Sequence, residues 1–119
     1  MEVIVPESVR QRSEIPIQDT WDTASVYASD AAWEADFQWI EKQIPARAKQ
    51  RGKLKTANAL ARWFGAVEEI GKRLGKVSLY ASMFFTTDTT DARAAGMNDR
   101  ARGLQARVDA AMAFAQPEI

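Results

Sequence analysis

The sequence predicts an all-α fold, in which a long antiparallel helical hairpin follows a shorter helix and an extended N-terminal strap. Two long stretches, 57–87 and 91–115, carry apolar residues at steps of three and four, the spacing of one face of a helix. The turn-forming run TTDTTD lies between them, and a tight turn between helices of similar length favours antiparallel packing. A shorter stripe of the same period precedes both stretches.

The segment before the first helix is predicted to be irregular. Residues 1–11 have little periodicity and are expected to be mobile. Residues 12–29 are expected to lie as an extended strap across the helices, because Pro16 disfavours a helical conformation at the preceding residue. The strap is too apolar for a free linker, with Ile15, Ile17, Trp21, Val26 and Tyr27.

The first helix is predicted over about 30–50, capped by Ser29 or Asp30. Its apolar stripe is Trp33, Phe37, Ile40 and Ile44. Pro45 lacks an amide hydrogen and crowds the preceding turn, so the helix is expected to kink or end there, with a restart through residues 46–50. Gly52 can then adopt the left-handed conformation that terminates helices.

The central helix is predicted over 57–87, with Thr56 as its N-cap and a length of about 45 Å. Its apolar seam consists of Leu60, Trp63, Val67, Ile70, Leu74, Val77, Ala81 and Phe84. Three glycines in the helix cost about 1 kcal/mol each, less than burial of the seam contributes.

The third helix is predicted over 91–115, with a seam of small residues. This stripe comprises Ala94, Met97, Ala101, Leu104, Val108, Ala111 and Ala115. Alanines opposite Trp63, Leu74 and Phe84 would let the two long helices approach closely.

Composition excludes several classes of function. The chain of 119 residues is 46% hydrophobic and 27% charged, contains neither histidine nor cysteine, and has zero net charge. Catalytic triads, imidazole metal sites and thiolate chemistry are therefore excluded, and we assign no catalytic, cofactor-binding or metal-binding residue to this chain. We expect no nucleic-acid or membrane partner, because basic residues are not in excess and no apolar run has spanning length. The N-terminus lacks the pattern of a signal peptide, so a cytoplasmic location is expected.

Several charged sets are candidate sites. The basic run Arg47, Lys49, Arg51, Lys53 and Lys55 could bind a phosphate or an acidic peptide, but a solvated connection between helices is the preferred interpretation. Arg93, Arg100 and Arg107 lie one heptad apart. They could pair with first-helix acids (Glu34, Asp36 and Glu41), although a solvated flank is preferred.

Other residues have structural interpretations that compete with functional ones. Gly96 and Gly103 share a helix face, where close approach of another element is preferred. Two carboxylate pairs, Glu68 with Glu69 and Asp88 with Asp91, could serve acid–base or metal chemistry, but helix capping and solvated faces fit them better. Trp33 and Trp63 are assigned to the core, whereas Trp21 and Trp39 are left open. Tyr80, Met83, Phe84 and Phe85 surround the hairpin tip, which one neighbouring helix cannot cover, so surplus apolar surface is expected there.

Four runs of the sequence carry a family resemblance. They are RSEIPIQDTWDTASVYASDAAWEADFQWIE, RGKLKTANAL, KVSLYASMFFTTDTTDARAAGMNDRARGL and AFAQPEI. Together, from Arg12 to Ile119, they resemble the N-terminal part of oligoendopeptidase F, among the thimet-oligopeptidase-like zinc peptidases. The resemblance implies a mostly helical lobe that helps to wall a channel admitting short peptides and excluding folded proteins.

The resemblance also implies a partner and a cofactor outside this chain. The zinc site of the family, an HExxH helix with a further glutamate, lies much later in the family's chain, and none of its residues maps onto this sequence. We therefore expect residues 1–119 to form a single helical domain, the N-terminal part of a larger peptidase, and to be inactive alone. Its partners would be the remainder of the peptidase and, in the parent, a peptide substrate. The alternative is a free-standing helical hairpin that dimerises through its aromatic tip as an interaction or scaffold module.

Overall fold

The computed structural model describes Pro16 and residues 22–119. This part of the chain forms helices α1 (Asp30–Ala48), α2 (Ala57–Thr87) and α3 (Ala92–Met112), a short helix α4 (Ala115–Glu118) and a 3-10 turn at Thr23–Ser25. These described residues contain no strand, so the predicted all-α fold is confirmed. They also contain no helix that is long and apolar enough to cross a membrane. The predicted mobile segment 1–11 and most of the strap before residue 22 lie outside the described residues.

The helix ends follow the capping residues. The side chains of Ser29, Thr56 and Asp91 each accept a hydrogen bond from an amide in the first turn of α1, α2 and α3 respectively. The predicted bounds of the central helix are confirmed, and Gly52 has the expected positive φ of 77°. The tight connection after α1 uses this conformation, which favours glycine because other residues carry a Cβ.

Three helix boundaries differ from the predictions. Pro45 does not end α1, which continues to Ala48 and stops short of the predicted residue 50. The exposed proline lies within the last turns of the helix, where losing one backbone hydrogen bond does not prevent the flanking turns from packing. The third helix begins after its cap at Asp91 and ends at Met112, so the predicted stripe residue Ala115 belongs to α4.

The first helix packs lengthwise against both helices of the hairpin. Near its N-terminal end, the indole nitrogen of Trp33 donates a 2.9 Å hydrogen bond to the Val77 carbonyl, and farther along α1 Asp36 pairs with Arg73. Residue numbers in α1 therefore increase as those in α2 decrease. Along α3 both increase together, since Glu34 pairs with Arg100 and Glu41 with Arg107. Consequently α1 is antiparallel to α2 and parallel to α3, an up-down-up arrangement.

The main core fills the space between the three long helices. Its buried members are Tyr27, Trp33, Phe37, Ile40, Ile70, Leu74, Val77, Tyr80, Ala81, Met97, Ala101, Leu104 and Val108. These residues come from the predicted stripes, with Tyr80 and Tyr27 as additions. Tyr27 precedes α1 and packs edge-on against Tyr80, with ring centroids 5.4 Å apart. Val26 also packs against this core, so within the described residues the end of the predicted strap does reach the helices.

A second, smaller core cluster lies at the other end of the hairpin. It contains Leu54, Trp63 and Ala115, which are buried, and Phe114 packs against it. Leu54 comes from the connection between α1 and α2, and Ala115 from α4. The short helix α4 therefore covers Trp63, where the prediction had extended α3.

Candidate functional site

Three ion pairs join α1 to α3. The guanidinium groups of Arg93, Arg100 and Arg107 contact the carboxylates of Asp30, Glu34 and Glu41 respectively. The preferred prediction of a solvated arginine flank is therefore wrong, and the pairing considered beside it is observed, with Asp30 in place of Asp36. The arginines match these acids because parallel helices bring residues of similar spacing into register.

The central pair of this set is also stacked on the core. Arg100 donates to both carboxylate oxygens of Glu34, at 2.8 and 2.7 Å, and its guanidinium lies 4.3 Å from the centroid of the Phe37 ring. The hydrogen bonds from Arg100 lower the pKa of Glu34. Arg100 thus holds α1 to α3 both by charge and by stacking over the ring of an aromatic core residue.

We expect the charged and the stacking contributions of Arg100 to be separable. Glu34→Gln should lower the free energy of unfolding by about 0.5 kcal/mol at low salt, since exposed ion pairs contribute little, and this loss should shrink in high salt. Arg100→Gln should cost about 1 kcal/mol, part of which persists in high salt because stacking on Phe37 is also lost. Urea unfolding at two salt concentrations measures both effects. Equal losses for the two variants at high salt would contradict the stacking role.

A second polar network joins α1 to α2. Asp36 accepts hydrogen bonds from the Tyr27 hydroxyl at 2.6 Å and from Arg73 at 2.8 Å, while Arg73 also contacts Glu69 at 2.9 Å. The Arg73 guanidinium lies 4.1 Å from the centroid of the Trp39 ring, which settles the open assignment of this half-buried tryptophan. Burial and the bond to Asp36 raise the pKa of Tyr27. This network was not predicted.

Asp30 links the start of α1 to both hairpin helices. One of its oxygens accepts a 2.8 Å hydrogen bond from the Tyr80 hydroxyl, and the other contacts Arg93. Burial and the bond to Asp30 raise the pKa of Tyr80 to about 12. Tyr80 therefore keeps its proton, and its hydrogen bond, well above neutral pH.

The raised pKa of Tyr80 predicts a loss of stability in alkaline solution. Above about pH 10 the unfolded chain loses the Tyr80 proton, whereas the folded chain retains it up to about pH 12. The folded state then binds more protons, so the free energy of unfolding falls as the pH rises through this interval. Tyr80→Phe should make that decline shallower in urea titrations between pH 9 and 12. An unchanged slope in this variant would show that Tyr80 does not contribute to it.

Most of the remaining charged candidates have structural partners or face solvent, whereas the Nε of Arg47 is buried without a hydrogen-bond partner among the described residues. Glu68 pairs with Lys72, Asp88 accepts bonds from Thr90, and Asp91 caps α3. In the part of the chain that the structure describes, no group of three or more His, Cys, Asp or Glu side chains could hold a metal ion. The basic run spans the end of α1 and the connection to α2, and its lysines are exposed, as the preferred interpretation predicts. Arg51 lies over the Phe114 ring at 5.4 Å.

Two predictions about apolar and small residues are wrong. Apart from the adjoining residues and backbone of α3 itself, no described atom lies within 4 Å of a Cβ built on Gly96 or Gly103, so no other element of this part of the chain approaches them. The tip of the hairpin is largely covered from within, because Tyr80 and Met83 are buried and Phe84 and Phe85 are half-buried. Trp33 and Trp63 lie in the core as predicted, and Trp21 lies outside the described residues.

The candidate site is instead on the outer face of the hairpin. A groove of about 380 Å³ runs between α2 and α3, and we call it the hairpin groove. Its lining residues are Ser78, Leu79, Ser82, Asn98, Ala101, Arg102 and Gln105. None of them belongs to α1, so the groove lies on a side of the hairpin that α1 leaves open.

Asn98 is among the groove residues that the sequence analysis did not identify. It is 8% exposed, yet its carboxamide makes no hydrogen bond to any of the described residues. Its position gave a signal, because it lies four residues after Ala94 and three before Ala101, next to the buried stripe. Leu79, on the rim, is 50% exposed. The groove therefore presents an amide that is not fully buried beside accessible apolar surface.

Comparison with known proteins finds several oligopeptidases that are similar to this chain. The chain is 35% identical to oligopeptidase PepF of Bacillus subtilis over 109 residues, which is 91% of this chain and 16% of the relative. The chromosomal oligoendopeptidase F of Lactococcus lactis is 28% identical over 93% of this chain and 19% of its own length. Over nearly its whole length the chain is thus similar to part of proteins named oligopeptidase PepF or oligoendopeptidase F. The resemblance carried by the sequence motifs is therefore confirmed.

The similarity to oligoendopeptidase F covers nearly all of this chain but a small part of each relative. Group B oligopeptidase PepB of Streptococcus agalactiae is 30% identical over 91% of the chain and 18% of its own length. The chain thus spans about a sixth to a fifth of the length of these curated relatives. No family model and no solved structure gives a significant match.

Proposed function

We propose that this chain is the N-terminal helical region of a longer, zinc-dependent oligoendopeptidase, in which it helps to wall and gate the channel for short peptides. The observation that carries the proposal is the match to several oligopeptidases over 91–93% of the chain. The zinc and the catalytic residues would belong to the remainder of the peptidase, and this chain would contain none of them. A cytoplasmic location is part of the proposal, supported by the absence of cysteine.

The construction of the bundle supports an architectural role. The first helix is held to both hairpin helices by a shared core and by ion pairs, which gives a wall with a fixed shape. The carboxylates proposed as alternative acid–base groups serve caps and ion pairs. These contacts between the helices would keep the wall in place when a peptide enters the channel.

The alternative of a dimer formed through the aromatic tip is less well supported. That interface would need exposed rings near the end of α2, but Tyr80 is 3% exposed and Met83 is 9% exposed. The aromatic contacts of Tyr80 with Tyr27 and with Phe84 are made within one chain. The tip therefore offers little surface to a second copy.

A chimera tests the proposed function. This chain would replace the matched 109-residue segment of Bacillus subtilis oligopeptidase PepF, with which it is 35% identical. We expect the chimera to be monodisperse and to hydrolyse a quenched fluorescent octapeptide with kcat/KM within about tenfold of the parent, because an intact wall preserves binding of substrate and transition state. The 119-residue chain alone is the control and should show no turnover.

Two results would contradict the proposal. An aggregated or inactive chimera would mean that this chain cannot stand in for the matched segment. Turnover by the isolated chain, abolished by a chelator, would mean that the chain itself holds a metal and catalyses hydrolysis.

A further inference from the structure

Three properties of the hairpin groove and its surroundings favour the binding of another element. The first is Asn98, which is 8% exposed and lines the groove, and whose carboxamide is not fully buried and makes no hydrogen bond to the described residues. A carboxamide that is open to the groove can both donate and accept hydrogen bonds. A group entering the groove with a polar side chain would satisfy the Asn98 carboxamide.

The second property is a surface of small residues on α2 that lies outside the lining of the groove and continues along the helix from the groove residue Leu79. Gly71, Gly75 and Leu79 lie four residues apart and so share one face of the helix. Apart from the adjoining residues and backbone of α2 itself, no described atom comes within 4 Å of a Cβ built on either glycine, and Leu79 is half exposed. Glycines in this position let the backbone of another helix approach α2 closely, beside a leucine that its apolar face can cover.

The third property is the charge on the α3 side of the groove. Arg102 lines the groove and makes no ion pair with the described residues, in contrast to Arg93, Arg100 and Arg107 of the same helix. Those three arginines each meet an acid of α1 on the other side of α3. An acidic residue on the occupant would pair with Arg102 in the same way.

We infer that a helix from the remainder of the peptidase chain packs into the hairpin groove, with its apolar stripe on Leu79, a polar side chain on Asn98 and an acid near Arg102. The inference rests on the proposed function. A helix is the occupant because the chain spans only 16–19% of its relatives, which leaves most of such a protein to supply one, and because the glycine spacing suits helix packing.

The variant Leu79→Glu in the chimera tests this docking. It places a charge on the rim of the groove, where the incoming helix would otherwise cover the half-exposed leucine. We expect tryptic cleavage between the helical region and the remainder to become at least about tenfold faster, as expected for losing one central interface contact. Calorimetry should also change from one unfolding transition to two. The matched control is Ala35→Glu, which adds the same charge at an exposed position of α1 and should leave both measurements unchanged.

The same substitution in the 119-residue chain separates docking from folding. Leu79 is half exposed there, so Leu79→Glu should leave the unfolding midpoint unchanged. A large decrease would mean that the leucine stabilises the bundle itself and would overturn the inference.

Three further outcomes would overturn the inference while leaving the proposed function intact. The first is an active chimera in which Leu79→Glu behaves like Ala35→Glu. The second is an isolated chain that sediments as a dimer and becomes monomeric with Leu79→Glu, because a second copy would then occupy the groove. The third is a Leu79→Glu chimera with unchanged proteolysis but a raised KM for the octapeptide, since the groove would then face substrate.

Discussion

Trp33→Ala should lower the free energy of unfolding by about 3–5 kcal/mol, the range for removing a large buried aromatic side chain. Trp33 is 1% exposed and lies where α1 meets the middle of α2. Its ring packs 5.3 Å from Phe37, and its indole nitrogen donates to the Val77 carbonyl. The substitution leaves a cavity among rigid helices and removes a hydrogen bond that fixes their alignment.

Urea unfolding followed by circular dichroism measures this loss. Trp33→Phe should lose less, because the smaller ring still fills much of the site and only the bond to Val77 is removed completely. Gln38→Ala, at an exposed position of the same helix, is the control and should change the free energy by less than about 0.5 kcal/mol. If Trp33→Ala were as stable as this control, the ring could not be part of the core.

Ala101→Leu should destabilise the bundle by about 1–3 kcal/mol, because it adds three heavy atoms where α3 packs against its neighbours. Ala101 is 3% exposed and belongs to the main core. The extra volume must push α3 outward or force a strained rotamer. The larger side chain would also occupy part of the hairpin groove, which Ala101 lines.

Ala106→Leu provides the matched comparison in equilibrium unfolding. Ala106 lies on the same helix but is exposed, so its substitution should stay within about 0.5 kcal/mol of the wild type. Similar effects of the two substitutions would contradict the interpretation that small side chains at the α2–α3 seam set the distance between the helices.

The helices could be predicted because their signals are local. Thr56 and the apolar period of α2 define the bounds 57–87, and the same period in α3 identifies the small seam. Periodicity did not predict the last turns of α3, because the break at Ala113 leaves Ala115 buried in α4. The sequence spacing of Ala115 from the other stripe residues is the same whether α3 continues or breaks before this residue, so periodicity does not reveal the break.

The direction of α1 could not be predicted, and several further errors follow from that. Arg100 has a partner only because α1 is parallel to α3, and Asp36 meets Arg73 only because α1 is antiparallel to α2. The covered tip depends on Tyr27, which reaches Tyr80 from outside the helices. Such contacts depend on how the helices are arranged relative to one another, and the pattern of a single sequence does not specify that arrangement directly.

The division of the core into two clusters implies that the bundle can open at one end while the other stays closed. Trp63 and Leu54 hold one end, the aromatic residues near Val77 hold the other, and Met112 packs against both clusters. Partial unfolding in proteins follows such units. Local unfolding that starts at α4 would therefore disrupt the cluster around Trp63 first. Because Met112 contacts both clusters, it would decide whether the unfolding extends into the main core.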